Sequence, residues 1–374
     1  MRLAILSHTE HFRVGSSWQG LEPTVREIRQ LTSVFDGIVH AACGYPGSPS
    51  VQTLPYESDR IKFQPLKPAG GLRMFNKLGI LSAAPSNLAV AMRVVAQADV
   101  VQLRLPTGMG MYLLPAMLLA GRRKYWSKYA GNWIQERPPL SYALQRWWLK
   151  NCQSQPVTVN GQWNDASHIL AFENPCLSGS EVELARARAS TKDYSAALRL
   201  CFVGRVEKAK GVDRILAGLG ASSHKAEIER VDFIGSGSDL EYWQRKAAAT
   251  GVRCFFHGQL PRERINVFYA DAHCLLLPSE SEGFPKVVAE AAAFGVIPVV
   301  SAVSAIPQYV NNLNGFLWDP RDSFPEWFAG LPLDNRALLR VLGGKIVELA
   351  ERFTYEHYCQ RIEREVLPLL NTNG

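Results

Sequence analysis

The sequence predicts an α/β fold built as two domains, each a parallel sheet wrapped by helices. Three observations carry this. The chain has 374 residues, more than one ordinary hydrophobic core accommodates. Short apolar runs alternate with helix-periodic stretches at a spacing of about 20–30 residues, the βαβ signature, and the alternation occurs twice. The run from Ala272 to Ser301, AHCLLLPSESEGFPKVVAEAAAFGVIPVVS, reads as strand, loop, helix, strand.

In the first half, Arg2 to Ser7 reads as a strand, and His8 to Gly20 as a polar, glycine-containing loop. Glu22 to Phe35 has helical spacing, and Gly37 to Cys43 (GIVHAAC) is a second strand. Gly44 to Gly71 is rich in Pro and Gly and reads as irregular. Leu81 to Ala98 reads as a helix interrupted near its start by Pro85, and Asp99 to Pro106 (DVVQLRLP) as a buried strand. Tyr112 to Ala120 is an apolar helix, KYWSKYAGNW a strand and loop, and LSYALQRWWLKN a helix. PVTVNG and SHILAFENP close this half.

Pro175 to Ala197 is polar and lacks apolar strands, so it reads as a linker. The second alternation follows: LRLCFVGR, a helix from Gly211, VDFIGSG, a helix from Asp239, VRCFFHG, a helix from Arg262. Then comes the 272–301 run, in which His273 to Ser279 suits a buried parallel strand. Pro285 sits where a helix would start, because proline has no N–H to leave unpaired, and Gly295 is the expected stop. Thr354 to Leu370 reads as a final helix whose last turn Pro368 frays.

Composition narrows the classes. Hydrophobic residues make up 47% and charged residues 20%, which describes a globular chain and excludes a disordered one. No apolar run approaches the roughly 18–20 residues a membrane span needs, and Leu3 to Leu6 is too short for a secretion signal. Seven scattered cysteines without a C-x-x-C pair read as buried thiols in a reducing cytoplasm. The net charge of +7 is uneven. Residues 1–197 hold 21 Lys+Arg and 13 Asp+Glu, against 20 and 21 in residues 198–374. A basic first half predicts an anionic partner surface. Nucleic acid is not expected, since no nucleic-acid module or basic helix stripe appears. Trp126, Trp133, Trp147 and Trp148, interleaved with Arg122, Arg123, Lys124, Lys128, Arg146 and Lys150, suit a membrane interface.

The candidate chemistry lies in the second half. The loop of the 272–301 run falls at the carboxyl end of a strand and the amino end of a helix, where α/β sheets bind anionic ligands. Glu282 in that loop and Glu290 in the helix can both face one ligand, and carboxylates accept hydrogen bonds from vicinal hydroxyls. Gly283, Phe284 and Pro285 let backbone approach it. Gly204–Arg205 ends another buried strand and Lys210–Gly211 precedes its helix, so both cations reach the same sheet edge and can hold a diphosphate. Gly235 and Gly237 form a G-x-G that lacks the rest of a dinucleotide fingerprint. No metal-ligand spacing and no G-x-S-x-G occur. His8 and His11 lie in the first β-loop.

Taken in order, VGR…KG, FIGSG, FHG, LPSESEGFPKVVAEAAAFGVIPVVS and IPQYVNNLNGFLWDP resemble the retaining GT-B glycosyltransferases of glycosyltransferase family four, over roughly residues 198–320. The glutamate pair of that family matches Glu282 and Glu290. The resemblance implies two Rossmann-like domains facing across a cleft: residues 1–180 for the acceptor, residues 198–353 for the donor, and a C-terminal helix, 354–374, packing back on the first. It implies a metal-independent hexosyl transfer from a nucleotide-diphosphate sugar, with no cofactor. Arg205, Lys210 and Glu282 would carry catalysis. Gly204, Gly235, Gly283, Phe284, Pro285, Lys286 and Glu290 would bind the donor, Glu290 through the ribose. On the acceptor side stand His8, Ser16, Arg104 and Asn132; Asn132 in YAGNW occupies the place of a family histidine. Ser304–Ala305 and Gln308 depart from the paired glycine and the glutamate usual there. The acceptor would be a saccharide or lipid-linked saccharide of surface polysaccharide or glycoconjugate biosynthesis, with the protein cytoplasmic and peripheral on the inner face of the membrane. A nucleotide-sugar epimerase, a sugar phosphorylase and a non-catalytic nucleotide-sugar-binding protein are the alternative readings.

Overall fold

The computed structural model describes residues 1–47, 49, 52–68, 74–120 and 124–372. The chain divides into two compact units: Met1–Asn174 with Tyr355–Gly374, and Pro175–Thr354.

Unit 1 is built on strands β1 (Arg2–Leu6), β2 (His11–Val14), β3 (Ser17–Leu21), β4 (Gly37–Tyr45), β5 (Thr53–Pro55), β6 (Ile61–Leu66), β7 (Val100–Leu105), β8 (Tyr125–Tyr129), β9 (Val157–Val159) and β10 (Ile169–Ala171). The order is β10-β9-β8-β7-β1-β4, with β6 paired to β4 and the β2–β3 hairpin and β5 beyond β4. The β1, β4, β6, β7, β8, β9 and β10 pairings are parallel. Helices α1 (Glu22–Gln30), α2 (Met74–Ala96), α3 (Gly110–Leu119) and α4 (Leu140–Asn151) connect them. Alternate residues of β1 bury themselves on opposite sides: Ala4 and Leu6 in one core, Leu3 and Ile5 in another.

Two segments of unit 1 differ from the sequence expectation. His8 to Gly20 is mostly a hairpin, Val14 facing Ser17 across the two-residue turn Gly15–Ser16. Gly44 to Gly71 contains β5 and β6. Pro65 obscures β6 in the sequence but is tolerated because β6 pairs only with β4 and so leaves an edge.

Unit 2 has strands β11 (Leu198–Val203), β12 (Ile228–Ile234), β13 (Cys254–Phe256), β14 (Cys274–Leu277), β15 (Ile297–Ser301) and β16 (Phe316–Trp318). Their order is β13-β12-β11-β14-β15-β16, all parallel. Its helices are α5 (Gly179–Ala189), α6 (Val212–Ala221), α7 (Leu240–Ala248), α8 (Arg262–Asp271), α9 (Lys286–Ala293), α10 (Phe324–Ala329) and α11 (Arg336–Ile346). Helix α5 corrects the linker reading of Pro175–Ala197. A capping box, Ser178 with Glu181, starts it, and Val182 and Ala185 bury its inner side. Its polarity belongs to its solvent side, which is why apolar content alone missed it.

The chain then returns to unit 1 as α12 (Tyr355–Arg361) and α13 (Leu367–Thr372), joined by a π-helical turn over Ile362–Val366. Tyr358, Ile362, Val366 and Leu370 pack with Leu3, Ile5, Val25 and Ile28. Pro368 does not end the helix; the widened turn before it accompanies the missing N–H.

Candidate active site

Strands β11 and β14 are neighbours, so the loops leaving their carboxyl ends are neighbours too. The Glu280 N–H donates to the Ala209 carbonyl at 3.0 Å, tying the two loops together. Gly211 makes this fit possible. Its φ is +82°, and a Cβ there would stand 2.2 Å from the Pro278 carbonyl oxygen. The close approach sets Lys210 against the second loop. Its Nζ donates to Glu282 Oε1 at 2.6 Å, with the two side chains 24% and 10% exposed. Residues 72 apart in sequence thus form one half-buried pair whose charges remain addressable to a ligand.

Arg205 behaves differently. It is 72% exposed and meets Glu207 at 2.9 Å. An exposed pair of this kind is worth little, so the guanidinium is free to swing to a better anion. Gly204 and Gly235 close the neighbouring loops. A Cβ on Gly235, whose φ is +137°, would lie 1.8 Å from the Gly204 carbonyl. The G-x-G stretch is therefore required by loop packing.

Pro285 caps helix α9, one residue earlier than the sequence placed it, and Lys286 is the first helical residue. The helix expected between Pro285 and Gly295 is Lys286–Ala293, and Gly295 follows in the left-handed region at φ +69°. Phe284 is buried, stacked on Phe353 at 4.6 Å and edge-on to Tyr309 at 4.7 Å. Its ring is core, so only its backbone and that of Gly283 are left for a ligand. Lys286 is half-buried.

Glu290 has a partner that the sequence did not single out. Arg262, the first residue of α8, donates Nη1 to Glu290 Oε1 at 2.7 Å, Nε to Glu181 Oε1 at 3.2 Å, and Nη2 to the Cys176 carbonyl at 2.8 Å. Burial pulls the Arg262 pKa down, but the Glu290 and Glu181 carboxylates outweigh it and raise the pKa. The only sequence signal was Pro261–Arg262 at a helix start, which also suits a solvated arginine.

The acceptor-side candidates of unit 1 stand on four separate segments: the β1–β2 loop, the β2–β3 turn, β7 and the loop after β8. His8 is exposed. Ser16 is exposed in the β2–β3 turn. Asn132 accepts from the Ile134 N–H at 3.1 Å, closing a local turn. Arg104 donates to Glu27 at 2.9 Å and to Gln102 at 2.9 Å. Glu27 is buried and also accepts from Lys128 Nζ at 2.6 Å. Part of the basic-aromatic region belongs to the interior of unit 1. Trp126 and Trp133 are fully buried, Lys128 serves Glu27, and Lys150 pairs with Asp165 at 2.6 Å. Arg122 and Arg123 lie outside the described residues.

Unit 1 also holds a polar chain missed at the sequence level except for His11. Ser7 Oγ meets His40 Nε2 at 2.8 Å, His40 Nδ1 meets the Tyr56 hydroxyl at 2.5 Å, that hydroxyl meets His11 Nε2 at 3.0 Å, and His11 Nδ1 meets the Thr9 carbonyl at 3.0 Å. The carbonyl fixes every proton. His11 Nδ1–H donates to it, so Nε2 accepts from Tyr56, Tyr56 accepts from His40 Nδ1–H, and His40 Nε2 accepts from Ser7. Burial is the first cause that lowers both histidine pKa values, His11 to about 4. Among the described residues no cluster of three or more His, Cys, Asp or Glu could hold a metal, and no helix is long and apolar enough to cross a membrane.

Residues 186–326 match the family model for glycosyl transferases group 1. The matched residues all lie in the second unit. Over 210 residues the chain is 32% identical to the sulfoquinovosyl transferase SQD2 of Arabidopsis thaliana, covering 54% of this chain and 39% of that one. It is 31% identical over 154 residues to the D-inositol 3-phosphate glycosyltransferase of Xylanimonas cellulosilytica, covering 39% and 36%. The chain thus spans under two fifths of the length of these curated relatives. In fold, the whole chain superposes on the sucrose-phosphate synthase of Thermosynechococcus elongatus with a TM-score of 0.71 at 17% identity, covering 100% of both. Anabaena HepE in complex with UDP gives 0.68 at 14% identity, covering 97% and 99%. The fold is GT-B, with a Rossmann-like parallel sheet in each unit. The group 1 match contains Arg205, Lys210, Arg262, Glu282 and Glu290; all the acceptor-side candidates lie outside it.

Proposed function

We propose that the chain is a retaining glycosyltransferase that moves a hexosyl group from a nucleotide-diphosphate sugar to a saccharide or lipid-linked acceptor, without a metal or other cofactor. The carrying observation is the Lys210–Glu282 pair at the carboxyl edge of the unit 2 sheet, beside the amino end of α9. A departing nucleoside diphosphate needs positive charge. Lys210 supplies it in a low-exposure setting, Arg205 can swing in from solvent, and the α9 terminus adds its dipole. Glu282 holds the donor sugar hydroxyls and keeps Lys210 in place until phosphate competes for it. Retention follows from attack on the face the diphosphate leaves, with a leaving phosphate oxygen taking the acceptor proton. Glu290 accepts from the ribose hydroxyls.

UDP in the HepE complex motivates the first experiment. Unfolding temperature is measured with UDP, UDP-glucose, and the GDP and ADP counterparts. A ligand at about 100 times its Kd adds about 2.7 kcal/mol of stability. No shift with any of them overturns the donor reading. Product stereochemistry by NMR tests retention: an inverted anomeric centre overturns it.

The membrane part of the proposal rests on α4. Leu140, Leu144 and Trp147 recur at i, i+4 and i+7 and are exposed among the described residues, so one face of the helix presents apolar side chains to solvent. Arg122 to Lys150 hold seven basic residues and one acidic residue. Co-sedimentation with anionic vesicles at low salt checks this; absence of binding overturns it.

A further inference from the structure

Glu290 is clamped on one side only. Arg262 takes Oε1, and among the described residues no donor reaches Oε2. Arg262 itself is fixed by three elements. Its fork reaches α9 through Glu290, α5 through Glu181, and the segment before α5 through the Cys176 carbonyl. Glu181 is fixed in turn, because its Oε2 accepts from the Ser178 N–H in the capping box. The Arg262 and Glu290 side chains are only 15% and 17% exposed. A planar guanidinium bonded at three nitrogens cannot rotate without losing all three contacts. The carboxylate it holds is therefore kept in one orientation, with one oxygen left for a ligand. A single carboxylate oxygen has two lone pairs, enough to accept from both members of a vicinal diol.

We propose that Arg262 is the positioning residue for Glu290 and sets the preference of the site for a ribose diol over a deoxy sugar. The inference rests on the donor reading of Glu290. Arg262 touches no ligand in this scheme; it acts by aiming the Glu290 oxygen that does. Hydrogen bonds to a charged acceptor discriminate by about ten- to a hundredfold when the donor is removed.

The test is the ratio of dissociation constants for ribonucleoside diphosphates and their 2′,3′-dideoxy analogues. It is measured calorimetrically with uridine, guanosine and adenosine diphosphates, on the full chain and on Glu290→Gln, Arg262→Lys, Arg262→Met and the double variant Arg262→Met/Glu290→Gln. The full chain is expected to prefer the ribose form by about tenfold or more, and Glu290→Gln to reduce that preference to within about threefold. Arg262→Met should reduce it as far, and the double variant no further. Arg262→Lys should restore part of it. A purely structural role would weaken all ligands equally and leave the ratio unchanged. A full chain without ribose preference, or a Glu290→Gln variant that keeps it, overturns the donor reading of Glu290 and this inference with it. Loss in Glu290→Gln with an unchanged ratio in Arg262→Met overturns the role of Arg262 alone. If Arg262→Met does not fold, Arg262→Lys decides. A wild-type ratio in Arg262→Lys then overturns the inference.

Discussion

The two sheets end in polar residues that the protein uses in opposite ways. At the edge of the unit 2 sheet, Lys210–Glu282 joins neighbouring loops and Arg262–Glu290 joins helices α8 and α9, each ion pair partly open to solvent. In unit 1 the Ser7–His40–Tyr56–His11 chain is buried and uncharged, and Glu27 is sealed between Arg104 and Lys128. Groups with similar chemistry thus stand open to solvent in one unit and are closed into the interior in the other. What separates them is access. A pair with solvent on one side can exchange a partner for a phosphate or a hydroxyl, whereas a buried closed chain that did so would leave a group unsatisfied.

The strongest way to break this contrast is to remove the charges of the open site. Lys210→Ala and Glu282→Ala should each lower glycosyl transfer by about 10²–10³-fold or more, with unfolding temperature close to that of the unaltered chain. Near-normal turnover in both would remove the catalytic assignment. The matching change in unit 1 should do the reverse. Glu27→Gln leaves Arg104 and Lys128 facing each other without a carboxylate, and should cost about 3–5 kcal/mol in urea denaturation. Lys128 also lies 4.7 Å from the Tyr358 ring centroid.

Next in size is a pH effect. The folded pKa of His11 is about 4 against 6.5 for the free side chain, so the unfolded chain binds a proton that the folded chain refuses. Its contribution is therefore complete above pH 6.5 and is lost as pH falls from 6.5 towards 4, by about 3 kcal/mol in all. His40 acts in the same direction. Urea midpoints measured across that window should fall on acidification, and His11→Gln, which keeps a donor and an acceptor without the titration, should flatten the slope. A pH-independent midpoint would show that the histidine chain is not held neutral.

Smaller effects sharpen the comparison. Arg205→Ala removes an exposed cation with one weak partner, so stability should change by under about 0.5 kcal/mol while transfer falls by at least about tenfold. Trp147→Glu on the exposed side of α4 should likewise leave stability within about 0.5 kcal/mol and abolish vesicle binding. Loss of folding in the Trp147 variant would identify that face as core.

Several features were legible in the residues alone because their signals are local. Strand and helix alternation, the Gly295 stop and the 272–301 corner depend on neighbours within a few positions. The Pro285–Lys286 boundary moved by one residue, and α4 coincided with LSYALQRWWLKN. Helix α5 and strand β6 escaped because a polar solvent side and an edge proline hide the periodicity that buried elements show.

Spacing along the chain was enough to name the charged candidates: Arg205, Lys210 and Glu282 stand at strand ends or before helix starts, and Glu290 lies inside the helix that follows Glu282. Only the tertiary structure decided what each charge meets. Lys210 finds Glu282 across 72 residues because the neighbouring parallel strands β11 and β14 bring their carboxyl-end loops together, and Arg262 finds Glu290 across 28 because the start of α8 meets α9. It likewise decided that His11 and Arg104 serve the interior of unit 1. Burial and partner geometry are properties of the packed sheet, and no local pattern encodes them.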